Sequence, residues 1–205
     1  ADVEKYVEND VHANIGAFDE EFTYDILAYV TSDATSVVIT DTLVDGINFA
    51  NGDSTRVEVL DIGPNNDHKA HSTSTDVTSI PVDAVATIDG KKLTVTIRDA
   101  AKHRGNWIKV TYDAELDNNV VDTWQLYRNK KEAVTNNGNV ISEAYATGHE
   151  GIANTAHYAV YTQTSGSGEE SKPTYEDDTN TVTVTPNTTK VSVNKAWANS
   201  EGAAM

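Results

Sequence analysis

Short runs of β-branched and aromatic residues alternate with polar positions along most of the chain, and clusters of Asn, Asp, Gly and Ser separate them. A period of two with such punctuation predicts antiparallel strands in a sandwich or barrel. Strands are expected near 2–8, 21–31, 36–41, 46–50, 55–62, 84–89, 92–98, 107–116, 154–162 and 179–186. Asp89-Gly90, between Val85-Ala86-Thr87-Ile88 and Leu93-Thr94-Val95-Thr96-Ile97, predicts a hairpin because both residues tolerate positive φ. Helix is expected only as decoration: one turn in Asp99–Gly105, and a short helix from Asp122 to Val134 inside a long insertion, 117–150. Residues 163–173, rich in Ser, Gly and Glu, read as a flexible loop between the last two strands.

The same alternation assigns side chains to faces. Residues two apart share a face of a strand, so Lys5 lies with Val3 and Val7, Asp25 with Leu27 and Tyr29, and Asn180 with Val182 and Val184. A lysine, an acid and an asparagine on apolar faces are the parts of a spontaneous Lys–Asn isopeptide crosslink. Burial disfavours the charged amine and so makes Lys5 a nucleophile. It also favours a protonated Asp25, which can polarise the amide and pass a proton to the departing ammonia. Held in contact, the two weak reactants gain the effective molarity that lets them react once without a cofactor. The competing expectation is that Lys5 sits on a solvent face, where an edge lysine blocks aggregation, and that Asn180 caps the start of a strand.

Composition narrows the field. The 205 residues suffice for a sizeable core, and the absence of cysteine excludes disulfides, thiolate zinc sites and cysteine nucleophiles. Against 32 Asp and Glu stand 15 Lys and Arg, a formal charge of −17 that repels nucleic acid and anionic membrane surfaces. No apolar run is long enough to span a bilayer. Many acids with abundant Thr and Asn fit an extracellular bacterial surface protein.

Val-Glu-Lys-Tyr-Val at 3–7, Phe-Thr-Tyr-Asp-Ile at 22–26, Ile-Thr-Asp-Thr-Leu at 39–43, Ile-Ala-Asn-Thr-Ala at 152–156 and Asn-Thr-Val-Thr-Val-Thr-Pro at 180–186 occur in this order. Together they resemble the isopeptide-forming D2-type domain of Gram-positive fimbrial proteins and LPXTG cell-wall adhesins, over roughly residues 2–188. The resemblance implies an all-β, immunoglobulin-like (CnaA-like) antiparallel β-sandwich with a short helical insertion, whose first-strand lysine bonds to an asparagine on the last strand with help from a nearby acid. By position the lysine is Lys5, the amide Asn180 and the acid Asp25. Asn154 is the competing amide, with a structural role as its other reading, and Asp41 the competing acid, otherwise a turn or strand-end residue. The expected work is mechanical: a stalk or pilus module anchored at the bacterial cell wall, with neighbouring domains of its own chain as partners and no catalysis on outside substrates. Residues 1–188 form the module. The alternating run Lys190–Trp197 within 189–205 reads as a linker and the truncated first strand of a following domain.

The alternative is a binding module for a host glycan or matrix protein, using the 117–150 insertion, with Trp124 as an exposed recognition aromatic, and the 63–81 loop. Trp107, at strand spacing, reads as core. The six histidines show no metalloprotease spacing. Asp67-His68-Lys69-Ala70-His71 reads as a solvated turn, and the acidic stretches 113–119 and 175–178 lack calcium-loop spacing. No metal or cofactor is expected, and the isolated domain is expected to be a monomer.

Overall fold

The computed structural model describes residues 2–16, 20–66, 80–117, 135–136, 139–140, 151–162 and 172–186. The expected helix 122–134, Trp124, the 67–71 segment and residues 189–205 lie outside them. Strands β1 (Val3–Val7), β2 (His12–Ile15), β3 (Phe22–Tyr29), β4 (Ser36–Thr42), β5 (Ile47–Phe49), β6 (Val57–Asp61), β7 (Ile80–Pro81), β8 (Ala84–Asp89), β9 (Lys92–Ile97) and β10 (Trp107–Leu116) make up the first part. The rest are β11 (Thr135–Asn136), β12 (Asn139–Val140), β13 (Ile152–Asn154), β14 (Ala156–Tyr161), β15 (Tyr175–Asp178) and β16 (Val182–Pro186).

One sheet runs β1-β3-β10-β6-β7, with β5 also on β10, and a second runs β15-β14-β4-β9-β8. A third, β13-β16-β2, includes the parallel pairing of β2 with the last strand. Alternation sets what each face buries. In β4, Val37, Ile39 and Asp41 are buried and the residues between them half-buried. In β10, Ile108, Val110, Tyr112, Ala114 and Leu116 belong to the shared core, together with Val95 and Ile97 of β9 and Val182 and Val184 of β16. A smaller cluster, Leu27, Leu60 and Ile62 with Tyr6 and Trp107 packed against it, covers the other side of the first sheet. Trp107 is thus half-buried there, with its ring 5.5 Å from that of Tyr29.

Several connections differ from the expectation. The hairpin joins β8 to β9 with Asp89 opposite Lys92, so its two loop residues are Gly90 and Lys91, one position later than expected. Gly90 has φ 60° at the first loop position, where a two-residue hairpin favours glycine. The loop expected at 163–173 lies outside the described residues but for its last two, and between it and β16 stands a strand that was not expected, β15, which pairs with β14. Its Tyr-Glu-Asp-Asp sequence carries no apolar alternation because it lies largely exposed at the sheet edge. β2 also escaped the pattern. Glu8 and Asn9, with φ of 48° and 62°, reverse the chain after β1, and Val7 and Asp10 exchange main-chain hydrogen bonds across the turn. The turn sends the chain to β16, so the second strand lies beside the last.

In the Asp99–Gly105 region the expected turn is a 3-10 helix at Ala100–Lys102. Buried His103 there contacts Asp61 Oδ2 at 2.7 Å and Asp99 Oδ2 at 3.1 Å, and Asn106 donates to Asp61. This polar clamp fixes the end of β6 to the approach of β10.

Gly151, among the described residues, is packed tightly against β16. A Cβ there would stand 2.9 Å from Thr183 Cβ and 3.0 Å from the Val184 carbonyl. Two of those atoms are main chain of β16, which cannot give way. We expect Gly151→Ala to lose about 1–3 kcal/mol of stability, measured as a lowered denaturant midpoint with an unchanged m-value.

Candidate functional site

Lys5 is fully buried in β1, between Val3 and Val7. It stands opposite Ile26 of β3, and residues directly opposite in an antiparallel pair share a face. Its side chain therefore enters the core beside Tyr24 and, one strand further on, Tyr112. Asp41 comes from the opposing sheet, on the face of β4 that carries Val37 and Ile39. Asn154 ends β13, where it pairs with Val182 of β16. Three sheets thus bring polar groups to the same interior point.

Lys5 Nζ donates to Asn154 Oδ1 at 2.5 Å and to the Tyr112 hydroxyl at 3.1 Å, and it forms an ion pair with Asp41 Oδ2. Tyr112 donates its own proton to the same Asp41 oxygen at 2.5 Å. Asn154 Nδ2 donates to the Thr42 carbonyl at 3.2 Å, which orients the amide with its oxygen toward the amine. The amine also lies 4.2 Å from the centre of the Tyr24 ring, a cation–π distance. Asp41 Oδ1 and the Tyr24 hydroxyl are buried without a hydrogen-bond partner among the described residues.

Desolvation dominates the electrostatics. Burial pushes the Lys5 pKa below that of an ordinary lysine, against the opposing pull of the Asp41 carboxylate and its hydrogen bond. Burial first, and then the charge of Asp41, raise both Tyr24 and Tyr112 well above the usual phenol range, so both remain neutral. The arrangement can bring a neutral amine, a proton-accepting acid and an amide together in a site without water. Two of the expected site residues stand elsewhere. Asp25 faces Tyr6 across the β1–β3 pair, so its side chain leaves the sheet on the side opposite Lys5. There it accepts from Thr111 Oγ1 at 2.7 Å. Asn180 precedes β16 and is exposed, and both ends of its amide serve the main chain of Lys5. Its Oδ1 accepts from Lys5 N and its Nδ2 donates to Lys5 O, each at 2.9 Å. It completes the open edge of β1 as a neighbouring strand would and does not approach Nζ. The geometry puts the competing residues, Asp41 and Asn154, at the amine in their place. A period-two signal marked both in the sequence: Val37-x-Ile39-x-Asp41 and Ile152-x-Asn154-x-Ala156.

No protein-family model matches the chain. Over 120 residues, 58% of this chain, it is 35% identical to platelet adherence protein A of Streptococcus gordonii. The chain spans about 3% of the length of that curated relative. The crystal structure of BcpA, the major pilin subunit of Bacillus cereus, superposes with a TM-score of 0.51 at 16% identity, covering 90% of this chain and 39% of that one. A variant of the same pilin gives 0.52 at 15% identity, covering 90% and 40%. The fold is an immunoglobulin-like β-sandwich. Among the described residues no helix is long and apolar enough to cross a membrane.

Removing the Asn180 amide deletes two hydrogen bonds at a sheet edge. We expect Asn180→Ala to cost about 1–2 kcal/mol in denaturant unfolding, with amide exchange at Lys5 accelerated relative to β10.

Proposed function

We propose that the chain is a load-bearing module of a Gram-positive surface protein, a pilus subunit or an adhesin, matured by an intramolecular isopeptide bond between Lys5 and Asn154. The observation that carries this reading is the buried contact of Lys5 Nζ with Asn154 Oδ1 beside the Asp41 carboxyl. The similarity to a platelet adherence protein and the sandwich shared with a pilin support the surface setting.

In the reaction Lys5 gives a proton to Asp41 and attacks Cγ of Asn154 as a neutral amine. The Nζ–Cγ bond forms while the Cγ–Nδ2 bond breaks, and Asp41 returns a proton to Nδ2. Asp41 takes up the second proton that leaves Nζ and ammonia departs neutral, so the acid ends protonated. The product replaces a buried ion pair, costly to desolvate, with a neutral amide.

The bond would close a loop between residues separated by 149 positions. In the chain-entropy description a loop of that size is worth about 5 kcal/mol against the unfolded chain. Its mechanical consequence follows from the strand that holds the amide. Tension applied at the two ends would pass from Lys5 directly to Asn154, so residues 6–153 carry no load. Residues 155–186, including β16, remain extensible and resist through their pairing with β13 and β2.

Intact mass under denaturing conditions tests the bond. We expect the wild-type chain to be one ammonia lighter than its sequence, and Lys5→Ala, Asn154→Ala and Asp41→Ala to show the full mass. Asn180→Ala and Asp25→Ala should keep the deficit. A full-mass wild type, or a deficit that survives Asn154→Ala, refutes the Lys5–Asn154 assignment.

A further inference from the structure

We propose that Tyr112 is the positioning residue of the crosslinking reaction and that it acts by holding the Asp41 carboxyl in place while the lysine changes its bonding. The inference rests on the crosslink reading above. Among the described residues, the hydrogen bonds that fix Asp41 both converge on Oδ2, one from Lys5 and one from Tyr112. The other oxygen, Oδ1, has none. As Lys5 gives up its proton and becomes acylated, it ceases to hold the acid, and the phenol is the partner that persists. By donating to Oδ2, Tyr112 also keeps Oδ1 open for the proton exchanged with the amide nitrogen.

The phenol is itself well fixed. Tyr112 lies on the central strand β10, its ring is 5.5 Å from that of Tyr24 and 5.4 Å from that of Phe49, and the residue is buried. Tyr24, by contrast, offers the amine the face of its ring while its hydroxyl makes no hydrogen bond among the described residues. The two tyrosines thus divide the work: one shelters the amine and the other orients the acid. Among the described residues, the ionisable groups around Asp41 are Lys5 from β1, Tyr24 from β3 and Tyr112 from β10.

The test follows crosslinking in time. Chains made in a short cell-free pulse are quenched at intervals in denaturant and their ammonia deficit is measured at several pH values. Tyr112→Phe is compared with wild type and with Tyr158→Phe, which removes a core hydroxyl that has no hydrogen-bond partner among the described residues. Loss of a hydrogen bond to an ionisable group should slow Tyr112→Phe by about ten- to a hundredfold. Without that donor the acid limb of its pH–rate profile should move to higher pH, while Tyr158→Phe keeps the wild-type rate. A wild-type rate and profile for Tyr112→Phe overturn the inference and leave the crosslink standing. A wild type that never loses ammonia refutes the crosslink reading and this inference with it. Should Tyr112→Phe not fold, 4-aminophenylalanine at position 112 must crosslink faster than 4-methylphenylalanine, which keeps the bulk without the donor; equal rates overturn the inference.

Discussion

The burial of one amine organises this molecule. Lys5 Nζ sits where water cannot reach, and an ammonium in such a place is costly unless opposite charge and hydrogen bonds surround it. Asp41, Asn154 and Tyr112 supply them from three different strands. Each partner is useful only if its strand is in register. The register of β1 on β3, of β4 on β14 and of β13 on β16 must therefore be satisfied together. A slip of one residue in any of them turns the polar group to the other face and leaves the amine unpaired.

The surrounding apolar core makes the cluster chemically distinctive. The same four groups at a surface would be a weak ion pair with a solvated amide. Enclosed by Val3, Val7, Tyr24 and Ile26, the lysine is displaced toward its neutral form. Pre-organisation supplies the rest, since Thr42 and Tyr112 hold the amide and the acid without help from the amine. Asn180 works at a distance from this chemistry. By pairing with both main-chain groups of Lys5 it fixes the backbone from which the lysine projects.

The sequence by itself determined the fold class and most strands. Apolar alternation is a local property, and it survives wherever one face of a strand is buried, as in β4, β9 and β10. The pattern failed at β2 and β15: one is short and joins the last strand through a tight turn, and the other is an exposed acidic edge. Alternation also put Lys5 on an apolar strand face, whereas Asp41 and Asn154 entered only through the family resemblance, as the competing acid and amide. It could not choose between Asp25 and Asp41 or between Asn180 and Asn154. A period of two tells which residues share a face of one strand, but not which face of the sheet that is. Only the pairing of Lys5 with Ile26 and of Tyr6 with Asp25 put that acid on the far side. Only the packing of the sheets brought Asp41 and Asn154 to the amine across 36 and 149 residues of chain. Faces are written locally in the sequence, whereas the meeting of side chains from different sheets is decided by tertiary register and packing.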